Sequence, residues 1–285
     1  MILNKFLIEK AIKEALIEDL SPGDLTTDAT IPEPWERNAY ILAKEDFILA
    51  GSLCFKTTFE LLDPSLSIKF NAFDGDWIKK GTRLADLKGN VASILKGERV
   101  ALNFLQRLSG IATLTRQFVD KVAGLNVRIC DTRKTTPGLR ILEKYAVRVG
   151  GGFNHRFSLS DGILIKDNHI AACGGVRSAV ERARLHSPHS YKIEVEVSTK
   201  EDLLEAIEAG ADAVLLDNMT IDELKSAVEL ARQKAPDLLL EASGGVNLEN
   251  VRAIAETGVD IISVGALTHS ARSVDISLKV TTNIG

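Results

Sequence analysis

Apolar and polar positions alternate along this chain in two rhythms. At the amino end, MILNKFLIEKAIKEALIEDL places Phe6, Leu7, Ala11, Ala15 and Leu16 at helical spacing, which predicts an amphipathic helix. The segment EDLSPGDLTTDATIP (18–32) ends it with Ser-Pro-Gly-Asp turn chemistry. From Arg37 to Leu95 the runs shorten to AYILAKEDFILAG, LSIKFNAF and TRLADLKG, punctuated by Gly51, Gly75, Gly81 and Gly89. That texture predicts a small sheet with tight turns. GERVALNFLQRLSGIATLTRQFVDKVAG (97–124) then carries a long helical stripe of Val100, Phe104, Leu108, Ile111, Phe118 and Val122. An interruption is expected at Ser109-Gly110, and a domain boundary within this helix or just before it.

After residue 125 strand-like apolar runs alternate with amphipathic helical stretches. The runs are VRICDT (127–132), DGILIKD (161–167), KIEVEVS (192–198), DAVLLDN (212–218), LLLEASG (238–244) and DIISVGA (260–266). Helical patterns occupy 138–148, 174–187, 200–209, 221–235 and 247–257. Near-continuous apolar strands separated by helices predict parallel βαβ units. Six runs fall short of an eight-stranded barrel, so a partial α/β barrel is the first expectation and an open doubly wound sheet the second.

Composition narrows the class. The 285 residues are 45% hydrophobic and 26% charged, which excludes global disorder, collagen and coiled coil. The net charge of −4 lacks the broad positive field of a nucleic-acid binder. The longest stretch without Asp, Glu, Lys or Arg, Ile261–Ala271, is far short of the ~20 residues that span a bilayer. The charged amino-terminal helix does not read as a secretory signal, and a cytoplasmic location is expected. Cys54, Cys130 and Cys173 are odd in number and widely spaced, as expected of buried or free thiols in a reducing compartment.

In parallel α/β folds the loops at the carboxyl ends of the strands converge on one ligand-binding face. Here those loops fall into three chemical groups. The first is cationic: Asp131-Thr132-Arg133-Lys134, then His155 and Arg156, then Lys166 and His169. Four like charges sharing one mouth repel unless an anion arrives, and the Arg fork suits carboxylate or phosphate. Each cation could instead pair with a local carboxylate such as Asp131 or Asp167. The second group is acidic: Glu194 and Glu196 share one strand face, and AVLLDN ends in Asp217. Such carboxylates suit Mg2+ carrying phosphate oxygens, or vicinal sugar hydroxyls, or a structural salt bridge. The third is glycine-rich: Ser243-Gly244-Gly245 and Val264-Gly265-Ala266, where backbone N–H groups can approach a phosphate. No GxSxG elbow, GxGxxG fingerprint or P-loop appears, which argues against a hydrolase elbow, a Rossmann dehydrogenase and a P-loop NTPase.

The block DTRKTTPGLRILEKYAVRVGGGFNHRFSLSDGILIKDNHI (131–170) resembles quinolinate phosphoribosyltransferase. So do EDLSPGDLTT (18–27), GERVALNFLQRLSGIAT (97–113), KIEVEVS, LLDNM, EASGGV and ISVGALTHS, in one continuous order over nearly the whole chain. The resemblance implies an α/β fold with an N-terminal α/β sandwich (1–112, with the tail 270–285 packing on it) and a C-terminal open α/β barrel (113–269). It implies transfer of phosphoribosyl from 5-phosphoribosyl-1-pyrophosphate to quinolinate, with Mg2+ and no organic cofactor. The products would be nicotinate mononucleotide, pyrophosphate and CO2, in NAD biosynthesis. It also implies a homo-oligomer, at least a dimer with shared sites, and neither nucleic acid nor membrane as partner. On this basis Arg99 would reach a partner's site, Thr132 would bind substrate, and Arg133, His155, Arg156 and Lys166 would surround the pyridine diacid. Lys134 would face the pyrophosphate or phosphoribosyl end, and Glu196 and Asp217 the ribose hydroxyls and Mg2+. Ser243, Gly244, Gly245, Val264, Gly265 and Ala266 would seat the 5-phosphate. Lys134, Glu196 and Asp217 are the expected catalytic residues. The molybdenum-locus paralogue shares a similar DTRKTTPG block, and the intact KDNH at 166–169 favours the quinolinate enzyme. A non-catalytic phosphosugar-binding barrel is a further alternative, but it has no need for both the cations and the acidic pair.

Overall fold

The computed structural model describes residues 5–281. In chain order the elements are α1 (Lys5–Leu20), α2 (Leu25–Thr30), β1 (Glu36–Ala43), β2 (Phe47–Ile48), α3 (Ser52–Leu62), β3 (Ser67–Phe70), β4 (Trp77–Ile78), β5 (Arg83–Asn90) and α4 (Val91–Lys121). There follow β6 (Arg128–Cys130), α5 (Arg140–Val149), β7 (Ile163–Ile165), α6 (Asp167–Cys173), α7 (Val176–His186), β8 (Ile193–Val197) and α8 (Lys200–Glu208). The last are β9 (Ala213–Asp217), α9 (Ile221–Lys234), β10 (Leu239–Ser243), α10 (Val251–Ala255), β11 (Ile261–Ser263), α11 (Ala266–His269) and β12 (Ile276–Val280). Two compact units result. One holds the chain up to Arg116, Thr135–Gly151 and the chain from Thr268; the other holds Gln117–Lys134 and Gly152–Leu267.

The first unit is built on a four-stranded sheet in the order β12-β1-β5-β3, every pair antiparallel. Alternation along β1 buries Ala39, Ile41 and Ala43, and Ile41 lies opposite Leu278 on one side and Ala85 on the other. Phe55 and Phe59 of α3 and Ile94, Ala101, Leu102 and Leu105 of α4 complete that core. α3 falls inside the stretch whose pattern predicts only strands. Its buried face includes the β-branched Thr57 and Thr58, residue types that read locally as strand. The Asp74 carboxylate fixes its start by accepting the N–H groups of Gly51 (2.8 Å) and Ser52 (3.1 Å).

Two helix readings need correction. α1 forms as expected but buries Ile8, Ile12 and Leu16, while Phe6 and Leu7 are 82% and 46% exposed. An i, i+4, i+8 stripe places those three on one face, and the pattern alone did not choose it. α4 starts at Val91 and runs without a break through Ser109-Gly110. The Ser109 hydroxyl donates to the Ala50 carbonyl (3.1 Å) and accepts the Ala50 N–H (3.0 Å). At Gly110 a Cβ would fall 1.9 Å from the Arg272 carbonyl oxygen, so this Ser-Gly pair is a site of close packing inside the helix.

Segment 135–151 belongs to the first unit through α5, which buries Leu142, Ala146 and Val147. Its Glu143 is fully buried and accepts from Arg107 (2.9 Å), from the Thr136 N–H (3.0 Å) and from the Thr136 hydroxyl (2.7 Å). Arg107 also donates to the carbonyls of Ala271 (2.6 Å) and Thr268. A buried ion pair is tolerable only with its remaining bonds satisfied, and this one ties three chain segments together in doing so.

The second unit is a six-stranded sheet in the order β6-β11-β10-β9-β8-β7, and all five pairings are parallel. Each of the six apolar runs forms a strand. The helices α7, α8 and α9 fall where periodicity places them, and two carry Thr caps: Thr199 accepts from Asp202, and Thr220 forms a capping box with Glu223. The 247–257 pattern yields only the short α10, and α6, with no buried residue, left no apolar signal. Among the described residues no pairing joins β6 to β7, so the parallel sheet is an open barrel; a lone bridge from Cys130 to Phe153 extends the β6 edge.

Gly110→Ala is expected to lower stability by about 1–3 kcal/mol, the range for overpacking a filled site. Urea denaturation checks this; an unchanged midpoint would contradict the Gly110–Arg272 contact.

Candidate functional site

The two-residue period of a strand decides which side chains face inward. On β8 it turns Glu194 and Glu196 away from the buried Ile193, Val195 and Val197. On β9 it presents Leu215 and Asp217, and on β10 Glu241 and Ser243, held in register by the pairs Glu196–Leu215, Glu241–Leu215 and Ser243–Asp217. Glu196, Leu215, Asp217, Glu241 and Ser243 line a cavity of about 600 Å3 in the second unit, at the carboxyl ends of the strands, whereas Glu194 borders a different cavity.

The cations reach this cavity from the loops. Just past β6, the fully buried Asp131 accepts the Asn154 amide (2.5 Å) and the His155 backbone N–H (2.9 Å). That pins residues 154–156 beside Thr132, Arg133 and Lys134. The Lys134 N–H closes on the Thr132 hydroxyl (3.0 Å), and Arg156 donates to the Gly162 carbonyl (3.2 Å). Burial, and then the like charge of Arg133, pull the Arg156 guanidinium below its usual affinity for protons. Lys166 donates to the Glu196 carboxylate. Thr132, Arg133, Lys134, His155, Arg156, Lys166, Glu196, Asp217, Ser243, Gly244 and Gly245 therefore share one cavity.

Five expected residues lie elsewhere. Val264 is buried, its N–H bonded to the Cys130 carbonyl (2.9 Å). Gly265 and Ala266 follow it into α11, and the β11 residue that lines the cavity is Ser263. Arg99 is exposed on α4 and borders a separate cavity of about 350 Å3 in the first unit, with Glu18, Asp19 and Arg107. The His169 ring does not line the cavity either; its Nδ1 accepts the Lys166 N–H (3.0 Å) and caps α6.

Three contributors were not foreseen. Asn218 takes a left-handed backbone (φ 54°), donates from its amide to Asp217 (2.7 Å) and from its N–H to the Ser243 carbonyl (2.9 Å), and so orients the Asp217 carboxylate. Asp131 anchors the cationic loop. Glu241 is 2% exposed, and its signal was present: it stands two residues before Ser243 on one strand, the same spacing that pairs Glu194 with Glu196. The His155 Nε2 lies 3.2 Å from a Glu194 oxygen and 3.3 Å from a Glu241 oxygen. Burial alone would push this imidazole down, but the hydrogen bonds and charges of the two glutamates outweigh it and push it up to about 10. Burial, and also the charge of Glu241, raise Glu194 against the opposing pull of His155. Glu196 and Asp217 bring carboxylate oxygens to the cavity that holds the cations, a donor set that suits a hard divalent cation such as Mg2+.

An open parallel α/β barrel with a polar cavity at the carboxyl ends of its strands defines a protein of the class that binds ligands at that face. Two family models match: "Quinolinate phosphoribosyl transferase, N-terminal domain" over residues 24–109 and "Quinolinate phosphoribosyl transferase, C-terminal domain" over residues 111–279. The chain belongs to the quinolinate phosphoribosyltransferase family. It is 48% identical, over 98% of its length and 95% of the relative's, to the probable nicotinate-nucleotide pyrophosphorylase [carboxylating] of Bacillus subtilis (strain 168). It is 44% identical, over 97% of its length and 84% of the relative's, to the chloroplastic nicotinate-nucleotide pyrophosphorylase [carboxylating] of Arabidopsis thaliana. The crystal structure of NadC from Streptococcus pyogenes superposes with a TM-score of 0.93 at 41% identity, covering 99% of both chains.

Gly244 (φ +95°) packs so that a Cβ would fall 2.1 Å from the Asn218 side-chain oxygen, whereas Gly245 (φ +60°) faces open space. Gly244→Ala is expected to cost about 1–3 kcal/mol, and Gly245→Ala about 1 kcal/mol. Equal losses in denaturant titrations would contradict the Asn218–Gly244 packing.

Proposed function

We propose that this chain transfers the phosphoribosyl group of 5-phosphoribosyl-1-pyrophosphate to quinolinate with loss of CO2, giving nicotinate mononucleotide and pyrophosphate. The observation that carries the reading is the convergence of Arg133, Lys134, His155, Arg156 and Lys166 with Glu196, Asp217 and the Ser243–Gly245 turn on one cavity. A dicarboxylate answers the cations, and a phosphosugar answers the other two groups.

In this reading Thr132, Arg133, His155, Arg156 and Lys166 clamp the two carboxylates and set the pyridine nitrogen against C1 of the sugar. Lys134 neutralises charge that grows on the departing pyrophosphate. Glu196 and Asp217 hold the ribose hydroxyls and offset the positive charge that develops on the ring. Ser243, Gly244 and Gly245 seat the 5-phosphate through backbone N–H groups, and Val264, Gly265 and Ala266 support that seat from the next strand end. Mg2+, held by Glu196 and Asp217 with the pyrophosphate oxygens, would supply charge neutralisation at the leaving group. Attack by the pyridine nitrogen forms the N–C1 bond as the C1–pyrophosphate bond breaks. The quaternised nitrogen then stabilises the electron pair left on the adjacent carbon when CO2 departs, and a proton replaces it.

Pyrophosphate release on mixing protein, Mg2+, phosphoribosyl pyrophosphate and quinolinate tests the assignment, with nicotinate in place of quinolinate giving no release. Release with nicotinate alone would sink it. Arg133→Ala is expected to weaken quinolinate capture roughly 10–100-fold, the value of one charge-assisted bond; steady-state kinetics identical to the unsubstituted enzyme would remove Arg133 from the clamp.

We further propose a homodimer in which the exposed Arg99 completes the site of a second copy. Mixing inactive Arg99→Ala protein with inactive Lys134→Ala protein should then restore part of the activity. Absence of complementation at every ratio would mean that each chain builds its site alone.

A further inference from the structure

We infer that Glu241 is a positioning residue for the diacid subsite: its buried carboxylate fixes the His155 ring, as a cation, in the wall of the cavity that takes the substrate's carboxylates. The inference deepens the reading given above and rests on it for the identity of the diacid. His155 arrives on a loop, and Asp131 just past β6 grips its backbone N–H. The ring borders two cavities. One is the 600 Å3 cavity at the carboxyl ends of the strands. The other, of about 490 Å3, is lined by Arg128, Lys192, Ala213 and Ile261 at or just before the amino ends of β6, β8, β9 and β11. Space on both sides means that packing alone does not aim the imidazole. What aims it is the pair of carboxylates at its Nε2, Glu194 from β8 at 3.2 Å and Glu241 from β10 at 3.3 Å.

Glu241 is the deciding member. It is 2% exposed, and its Oε2 faces the His155 Nε2 at 3.3 Å, so a buried carboxylate and the imidazole compensate one another there. The dependence is mutual. Arg133, Lys134, Arg156 and Lys166 line the same cavity and oppose a further positive charge. The Asp131 carboxylate engages Asn154 and the His155 backbone, and the hydrogen bonds and charges of Glu194 and Glu241 push the ring up to about 10. Removing the Glu241 charge lowers the pH at which the ring loses its proton, so that it turns neutral on the alkaline side while Glu194 still faces it. Where the ring is neutral, a pyridine diacid loses a charged donor in the cavity wall, while the net charge of the cavity is unchanged because the glutamate's negative charge goes with the proton; the phosphosugar, seated at Ser243–Gly245, loses no such donor.

The experiment follows the His155 ring nitrogens by 15N NMR against pH in the full-length protein, beside the Glu241→Gln and Glu241→Asp variants, with quinolinate and phosphoribosyl pyrophosphate kinetics at about pH 6 and about pH 8.5. The unsubstituted protein should show an imidazolium beyond about pH 9, and Glu241→Gln a midpoint lowered by about two units or more. In Glu241→Gln, KM for quinolinate should rise about tenfold at the higher pH and less than threefold at the lower. Its kcat and the KM for phosphoribosyl pyrophosphate should stay within about twofold, and Glu241→Asp should recover most of the quinolinate affinity. A neutral His155 at pH 7.5 in the unsubstituted protein overturns the inference, and that measurement needs neither turnover nor a folded variant. So does a quinolinate KM that Glu241→Gln leaves unchanged, or a loss of kcat and both KM values together that Glu241→Asp does not relieve. Stoichiometric Zn2+ binding that shifts the His155 resonances would also overturn it, by making the His155–Glu194–Glu241 group, whose ligand atoms lie within 4.8 Å of one another, a metal site. If the enzyme releases no pyrophosphate with quinolinate, the proposed activity fails while the ring titration still decides the role of Glu241.

Discussion

Gathering Arg133, Lys134, Arg156 and Lys166 around one cavity sets cation against cation, and the second unit is organised around containing that repulsion. Its means are carboxylates on the inward face of the sheet and at strand ends. Asp131 is fully buried and ties the His155–Arg156 loop to the end of β6. Glu194 and Glu241 meet the His155 ring, and Glu196 meets Lys166. These pairs do not use up the positive field: Arg156 still feels the charge of Arg133. In the proposed reading a diacid would find this field already assembled, so its capture would not require the cations to be brought together at the moment of binding.

Parallel strand pairing converts that electrostatic arrangement into position. Register between β8, β9 and β10 places Glu196, Leu215 and Glu241 side by side, with Asp217 and Ser243 one step further toward the carboxyl ends. Acidic residues thus stand between the cationic loops and the Gly244–Gly245 turn, in the order in which a diacid, a sugar ring and a phosphate would be laid out. The left-handed Asn218 and the close approach of Gly244 to it show how little freedom remains at the phosphate-side turn.

Much of this was legible in the residues. Six apolar runs between helical patterns announced the parallel unit, and polar residues at their ends announced the chemistry. The cationic and acidic members of the cavity were found because loops after parallel strands share one face whatever their separation in sequence. Other features depended on partners that no local pattern names. α1 has more than one apolar stripe, and only the packed unit selects Ile8, Ile12 and Leu16. Ser109-Gly110 reads as a helix break until the Arg272 carbonyl is seen to occupy the space that glycine leaves. Glu241 sits in a run that reads as buried strand, where a carboxylate without its His155 partner carries no visible purpose. The Val264–Gly265–Ala266 turn resembles the Ser243–Gly245 turn in composition, yet one lines the cavity and the other does not, because β11 ends one residue earlier at Ser263.

If one cavity clamps an aromatic diacid beside an activated sugar, a crystal structure with phthalate, a diacid that lacks the reacting nitrogen, will show both carboxylates within hydrogen-bond reach of Arg133, Arg156 and Lys166, with the ring edge turned toward Asp217. Phthalate bound away from these three side chains, or each of them found paired to its own carboxylate with phthalate present, would contradict it.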